Sequence, residues 1–278
     1  MSFHKDERIC LRRGGIEGRK MKVVILAGGF GTRISEESHL RPKPMIEVGG
    51  KPILWHIMKI YAAQGFTDFI ICAGYKQHKI KEYFDDYYLQ HTDVTFDYRG
   101  GTKQVTVHAS QAEPWRVTVA DTGYRTMTGG RIKRISRYVG DKPFMLTYGD
   151  GVADINLAEL LKKHEKSDSI VTLSGVSIAQ SKGILDVDED GLISNFREKK
   201  SVDDSVINGG YMVCEPTVFD YIKNDESIFE EDVLPVLADQ GKLNCYRHPG
   251  FWKCMDTQRE REQLEEMWSS HNAPWKVW

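Results

Sequence analysis

From Met21 onward, apolar positions fall into short continuous runs that alternate with segments of helical period. Val23-Val24-Ile25-Leu26 is uninterrupted, the pattern of a strand buried on both faces. Pro52 opens a helix in which Ile53, Leu54, Ile57, Met58, Ile60 and Tyr61 recur at three- and four-residue spacing, with Gly65 as its stop. Phe69-Ile70-Ile71-Cys72-Ala73 returns as a second buried strand, and Ile80, Tyr83 and Phe84 mark the next helix. Runs at 144–147 and 170–173 predict further central strands on either side of a helix around 157–164. Strands alternating with helices predict an α/β fold, a mostly parallel mixed sheet flanked by helices. The irregular stretch near 92–130 suits a β-ribbon insertion. From about 205 the pattern suits a C-terminal α+β extension, ending in a charged helix near 257–268 whose Leu264 and Met267 pack on the body.

The first twenty residues carry no such pattern. They are charged and aperiodic, contain the protease-site-like Ile16-Glu17-Gly18-Arg19, and precede Met21. Residues 1–20 therefore read as a tag or a leader from a misassigned start, and 21–278 as a single domain.

Composition narrows the function classes. A hydrophobic share of 40% with 10% aromatics excludes a wholly disordered chain. The net charge of −2 argues against a nucleic-acid partner. No apolar run approaches the ~20 residues of a membrane span, so no membrane partner is expected. The five cysteines form no C-x-x-C pair, which reads as reduced thiols in a cytoplasmic protein.

The strongest local signal is Leu26-Ala27-Gly28-Gly29-Phe30-Gly31-Thr32-Arg33, followed by Arg41-Pro42-Lys43-Pro44-Met45. Three glycines after a buried strand let backbone N–H groups wrap closely round phosphates, and Arg33 and Lys43 supply fixed positive charge. A dinucleotide fingerprint fails because Ile34 stands where its last glycine belongs. A P-loop fails because Gly50-Lys51 is followed by Pro52. Tyr148-Gly149-Asp150-Gly151 lies just past a predicted strand, where open α/β sheets place ligands, so Asp150 is a candidate magnesium ligand. Asp186-Val187-Asp188-Glu189-Asp190-Gly191 imitates a calcium loop, but its twelfth position is Arg197. A hairpin turning near Asp190-Gly191 is the better reading.

Together these residues resemble the sugar-1-phosphate nucleotidylyltransferases. Met127-Thr128-Gly129-Gly130-Arg131, Ile207-Asn208-Gly209-Gly210, His248-Pro249-Gly250-Phe251-Trp252 and Ala273-Pro274-Trp275-Lys276 resemble the glucose-1-phosphate cytidylyltransferase branch in particular. The resemblance runs along most of the chain from Met21 and implies a Rossmann-like sheet. It implies CTP and a sugar 1-phosphate, glucose 1-phosphate first, as partners, with the CDP-sugar and pyrophosphate as products. By the same resemblance, Leu26, Ala27, Gly28, Gly29, Phe30, Gly31, Thr32, Arg33, Lys43, Thr126 and Arg131 bind the nucleotide, with Arg33 and Lys43 catalytic. Tyr148, Glu198, Lys199, Asn208 and Gly209 face the sugar phosphate, and Asp150 and Asp256 hold Mg²⁺. The resemblance further implies a homo-oligomer serving dideoxysugar synthesis for surface polysaccharide such as O-antigen. Lys182-Gly183 and Lys200 depart from the branch near its sugar pocket, so a related sugar or alditol phosphate is the alternative substrate. A non-catalytic relative that only binds nucleotide sugar is the rival class. Arg33, Lys43, Asp150 and Asp256, all present, favour the enzyme.

Overall fold

The computed structural model describes residues 21–177, 184–187, 193–197 and 206–278. Seven strands form the central sheet: β1 (Lys22–Ala27), β2 (Asp68–Ala73), β3 (Arg116–Asp121), β4 (Phe144–Tyr148), β5 (Val171–Ser177), β6 (Val206–Cys214) and β7 (Leu243–His248). Their spatial order is β7-β5-β6-β4-β1-β2-β3. The β1–β2, β1–β4, β2–β3 and β5–β7 pairs are parallel, whereas β6 is antiparallel to both β4 and β5. One reversed strand therefore sits inside an otherwise parallel sheet.

Continuous apolar runs are needed because both faces of this sheet are covered. Val23, Ile25 and Ala27 of β1 join one buried cluster, and Val24 and Leu26 join the other. On the first face lie helices α1 (Ile53–Ala62), α2 (Gln77–Gln90) and α4 (Leu157–Glu165). On the second lie α3 (Thr128–Arg134) and α5 (Leu234–Asp239). The last helix, α6 (Gln258–Ser269), inserts Leu264 into the first cluster and packs Met267 against it, as its apolar stripe predicts. Thr257 caps α6 in a box with Glu260, each side chain accepting from the other's backbone N–H.

Near 92–130, Thr92–Asp97 and Gln104–Ser110 form the expected antiparallel ribbon. The rest of that stretch does not extend it. Arg116–Asp121 alternates polar and apolar residues as an edge strand does, and becomes β3. Ile184–Val187 pairs antiparallel with Ile193–Arg197, the arrangement a hairpin requires, while Asp188–Gly191 itself lies outside the described residues. The region from about 205 carries the expected mixture of strands and helices, and two of its strands, β6 and β7, are members of the central sheet. Among the described residues no helix is long and apolar enough to cross a membrane. The four described cysteines form no disulfide.

Candidate functional site

Strands β1, β2, β3 and β4 run the same way, so the loops after them gather at one edge of the sheet. A cavity of about 420 Å³ opens there. Its wall comes from Leu26 to Thr32 at the end of β1 and beyond, Arg125 to Thr128 and Arg131 after β3, and Tyr148 to Asp150 at the end of β4 and beyond, closed by Lys43, Pro44 and Asp256. Residues brought together from such distant parts of the chain make one concave, partly apolar site.

At this site the Lys43 ammonium lies between two carboxylates. It donates to Asp150 Oδ2 at 2.6 Å and to Asp256 Oδ1 at 2.5 Å. Burial disfavours the ammonium's charge, but the attraction of Asp150 and the hydrogen bonds to both aspartates outweigh it, so the Lys43 pKa is raised above the ordinary lysine value. Lys43 is therefore a fixed cation at neutral pH.

The backbone explains why Asp150 and Asp256 meet. Gly151–Ala153 pairs antiparallel with Trp252–Cys254, and the Met255 N–H donates to the Asp150 carbonyl at 2.9 Å. The Asp256 N–H donates to Glu260 in the first turn of α6 at 2.7 Å. The Trp252 indole N–H donates to the Gly209 carbonyl at 2.7 Å, tying the same loop to β6. Two hard carboxylates this close together suit a small divalent cation, whose other positions go to phosphate and water oxygens, and here the Lys43 ammonium fills the space between them. Among the described residues no cluster of three acidic, histidine or cysteine ligands occurs.

Arg131 organises the glycine loop. The residue is 4% exposed, and its guanidinium donates to the Thr122 hydroxyl and to the Gly123 and Gly28 carbonyls at 2.7–2.9 Å. A Cβ on Gly28 would lie 2.3 Å from Arg131 Nη1, and a Cβ on Gly74 equally close. Both positions demand glycine because a guanidinium fills the space. Phe30 is held from outside by Tyr75 and Tyr124, with ring centroids 5.4 and 5.2 Å away.

The paired glycines of Met127-Thr128-Gly129-Gly130 have a similar cause. A Cβ on Gly129 would lie 2.7 Å from the Ser227 carbonyl oxygen, and one on Gly130 2.5 Å from Asp225 Cα. The segment 225–230 thus lies directly against the start of α3.

The cavity collects thirteen of the residues expected from sequence: Leu26 to Thr32, Lys43, Thr126, Arg131, Tyr148, Asp150 and Asp256. Asn208 and Gly209 do not line it but are bonded to Tyr148 and Trp252. Asn208 reaches the site because β6 runs backwards and carries its first residues past the end of β4, where the Asn208 amide donates to the Tyr148 hydroxyl at 3.2 Å. The Arg33 side chain, Glu198 and Lys199 lie outside the described residues, as do Lys182 and Lys200. Five further lining residues, Pro44, Arg125, Met127, Thr128 and Gly149, were not named individually as site residues from the sequence, nor were Trp252 and Glu230 as supports. For Met127 and Thr128, the double glycine that follows was the available signal.

Residues 22–257 match the nucleotidyl transferase family. The chain is 49% identical over 259 residues to the glucose-1-phosphate cytidylyltransferase of Salmonella typhi, covering 93% of this chain and all of that protein. The protein of that name from Salmonella typhimurium matches at the same identity and coverage. In three dimensions the chain resembles HddC from Yersinia pseudotuberculosis, with a TM-score of 0.65 at 24% identity, over 89% of this chain and 99% of that one. That likeness speaks for the fold.

Proposed function

The chain belongs to the nucleotidyl transferase family, and from that premise we propose that it transfers the cytidylyl group of CTP to α-D-glucose 1-phosphate, giving CDP-glucose and pyrophosphate. The observation that carries the reading is the Lys43 ammonium held between Asp150 and Asp256 at the edge of a cavity walled by the glycine loop. The choice of CTP and glucose 1-phosphate rests on the 49% identity to cytidylyltransferases across their full length.

An oxygen of the sugar phosphate attacks the α-phosphorus of CTP. A new P–O bond forms as the bond between the α-phosphorus and the oxygen bridging to the β-phosphate breaks, and the electron pair leaves with pyrophosphate. The attacking oxygen is already anionic near neutral pH, so no general base or covalent nucleophile is required. The protein's task is positioning and charge neutralisation. Backbone N–H groups of 28–32 and the Arg33 guanidinium cradle the triphosphate. Lys43, kept protonated by its two aspartates, offsets negative charge developing at the α-phosphate. Thr126 and the cavity face of Arg131 border the nucleotide, while Tyr148, Glu198, Lys199, Asn208 and Gly209 serve the sugar phosphate. Asp150 and Asp256 would hold Mg²⁺, which when bound supplies charge neutralisation and alignment of the phosphates.

We place the reaction in the cytoplasm, in keeping with the described thiols being unpaired, and in the supply of dideoxysugars for surface polysaccharide. Phe96, Tyr98, Val105 and Val107 are exposed on the 92–110 ribbon, which supports a homo-oligomer.

Incubation with CTP, glucose 1-phosphate and Mg²⁺, followed by pyrophosphate release and product mass, tests the reading. CDP-glucose is the expected product. Nucleotide binding without turnover on any sugar phosphate would overturn the enzyme reading; turnover only with another sugar phosphate would overturn the sugar alone.

A further inference from the structure

Glu230 does not line the cavity, yet both its oxygens are engaged by residues that do. Glu230 Oε1 accepts from the Tyr148 hydroxyl at 2.6 Å, and Oε2 accepts from the Thr128 hydroxyl at 2.6 Å. Tyr148 in turn accepts from the Asn208 amide at 3.2 Å, and Thr128 Oγ1 accepts from the Phe229 N–H at 2.9 Å. The result is a chain of hydrogen bonds from β6, through the end of β4, to the first turn of α3. Its donors and acceptors are consistent at every link, with the carboxylate as the shared acceptor.

The two ends of this chain belong to different substrates under the functional reading given above, on which the inference rests. Tyr148 and Asn208 stand on the sugar-phosphate side, and Thr128, which lines the same wall as Thr126 and Arg131, on the nucleotide side. The remaining bonds between 225–230 and α3 stop at the nucleotide side: Met127 N–H to the Asp225 carbonyl, Gly130 N–H to the Ser227 carbonyl, and the Arg134–Asp225 ion pair. Of these contacts Glu230 is the one that crosses to β4. Burial raises the Tyr148 pKa, and the neighbouring Glu230 charge adds to the effect, so the phenol remains a donor.

We infer that Glu230 is a positioning residue that couples the nucleotide side of the pocket to the sugar-phosphate side, by holding the Thr128 and Tyr148 hydroxyls on one carboxylate. Two sites joined through a shared group respond to each other reciprocally. Loss of the carboxylate frees both hydroxyls, so a single substitution loosens the grip on both substrates.

Glu230→Ala and Glu230→Gln test this, with kcat, both KM values and melting temperature measured on the purified full chain. Glu230→Ala is expected to raise KM for CTP and for glucose 1-phosphate by about fivefold each, in the range typical of coupled sites. Glu230→Gln keeps one acceptor oxygen and the same reach, so it is expected to restore most of both. A lower melting temperature with kcat and both KM values within twofold of the parent would make Glu230 a structural prop and overturn the inference. Should Glu230→Ala fail to fold, Thr128→Ala and Tyr148→Phe are combined instead. Their effects on kcat/KM are expected to be non-additive, because each breaks the same chain, and simple additivity would overturn the coupling. If the parent shows no turnover, the functional reading fails. The Glu230 link is then read from CTP affinity in the presence and absence of glucose 1-phosphate: mutual enhancement lost in Glu230→Ala supports it, and equal enhancement in parent and variant overturns it.

Discussion

Arg131 Nη2 donates to the Gly28 carbonyl oxygen at 2.9 Å, across 103 positions of sequence. The bond joins the loop after β1 to the helix after β3, and the same guanidinium reaches Gly123 and Thr122. Burial pulls the arginine pKa down, and its hydrogen-bond partners among the described residues are oriented carbonyls and a hydroxyl, which compensate the charge. Arg131 therefore shapes the glycine loop as well as bordering the cavity.

Arg131→Lys should be far from conservative. One ammonium cannot reproduce a planar fork that serves two loops at once. We expect a loss of about 2–3 kcal/mol in urea unfolding, the scale of hydrogen bonds to a buried charge, with a raised KM for CTP. An unchanged midpoint and KM would show that the loop holds its shape without the fork.

Gly28 and Gly29 should part company in stability. A methyl at Gly28 meets the Arg131 guanidinium at 2.3 Å, whereas one at Gly29 meets nothing within 4 Å. Gly28→Ala is expected to destabilise by about 1–3 kcal/mol, as overpacking does. Gly29→Ala should shift the melting temperature by no more than about 2 °C. Calorimetry on the two variants decides, and equal shifts would contradict the packing argument.

Asp150→Asn keeps the side chain's size but removes one of the two charges around Lys43. Loss of a charged group aligned on the reacting phosphates should lower kcat by about a hundredfold or more. Steady-state rates at saturating Mg²⁺ check this. Near-normal turnover would take Asp150 out of the site.

His56 gives a pH dependence that concerns stability and not chemistry. It is 1% exposed, and burial lowers its pKa from 6.5 to about 4, partly opposed by its hydrogen bond to the Val48 carbonyl. That carbonyl only accepts, so Nε2 carries the proton and Nδ1 accepts from the Trp275 indole at 3.4 Å. Below pH 6.5 the unfolded chain takes up a proton that the folded chain refuses until about pH 4. Stability is therefore lost as pH falls through that window, by about 2 kcal/mol between pH 7 and 5. Urea unfolding of the parent and of His56→Gln should show this slope in the parent and a weaker one in the variant. Identical slopes would contradict it.

Much of this was legible in the sequence because it is local. Val23 to Leu26 had to be doubly buried, the helix after Pro52 follows from its spacing, and the glycine loop that lines the cavity stands out as a motif. What stayed hidden is long-range. Nothing in Val206–Cys214 announces that this strand runs backwards, yet that reversal brings Asn208 beside Tyr148. Glu230 lies among Glu231 and Asp232 and reads as surface charge until its two partners are seen. Lys43 was legible as a cation, but its seat between Asp150 and Asp256 depends on strand pairing 100 residues apart.

Nucleotide choice is decided by kcat/KM for CTP, UTP, ATP and dTTP, each with glucose 1-phosphate, with the product identified by mass. A pocket fitted to the hydrogen-bonding edge of cytosine leaves polar groups unpaired when another base enters, so discrimination should be severe. CDP-glucose is expected from CTP, with at least about a hundredfold preference over the other three. Equal use of UTP and CTP would contradict it.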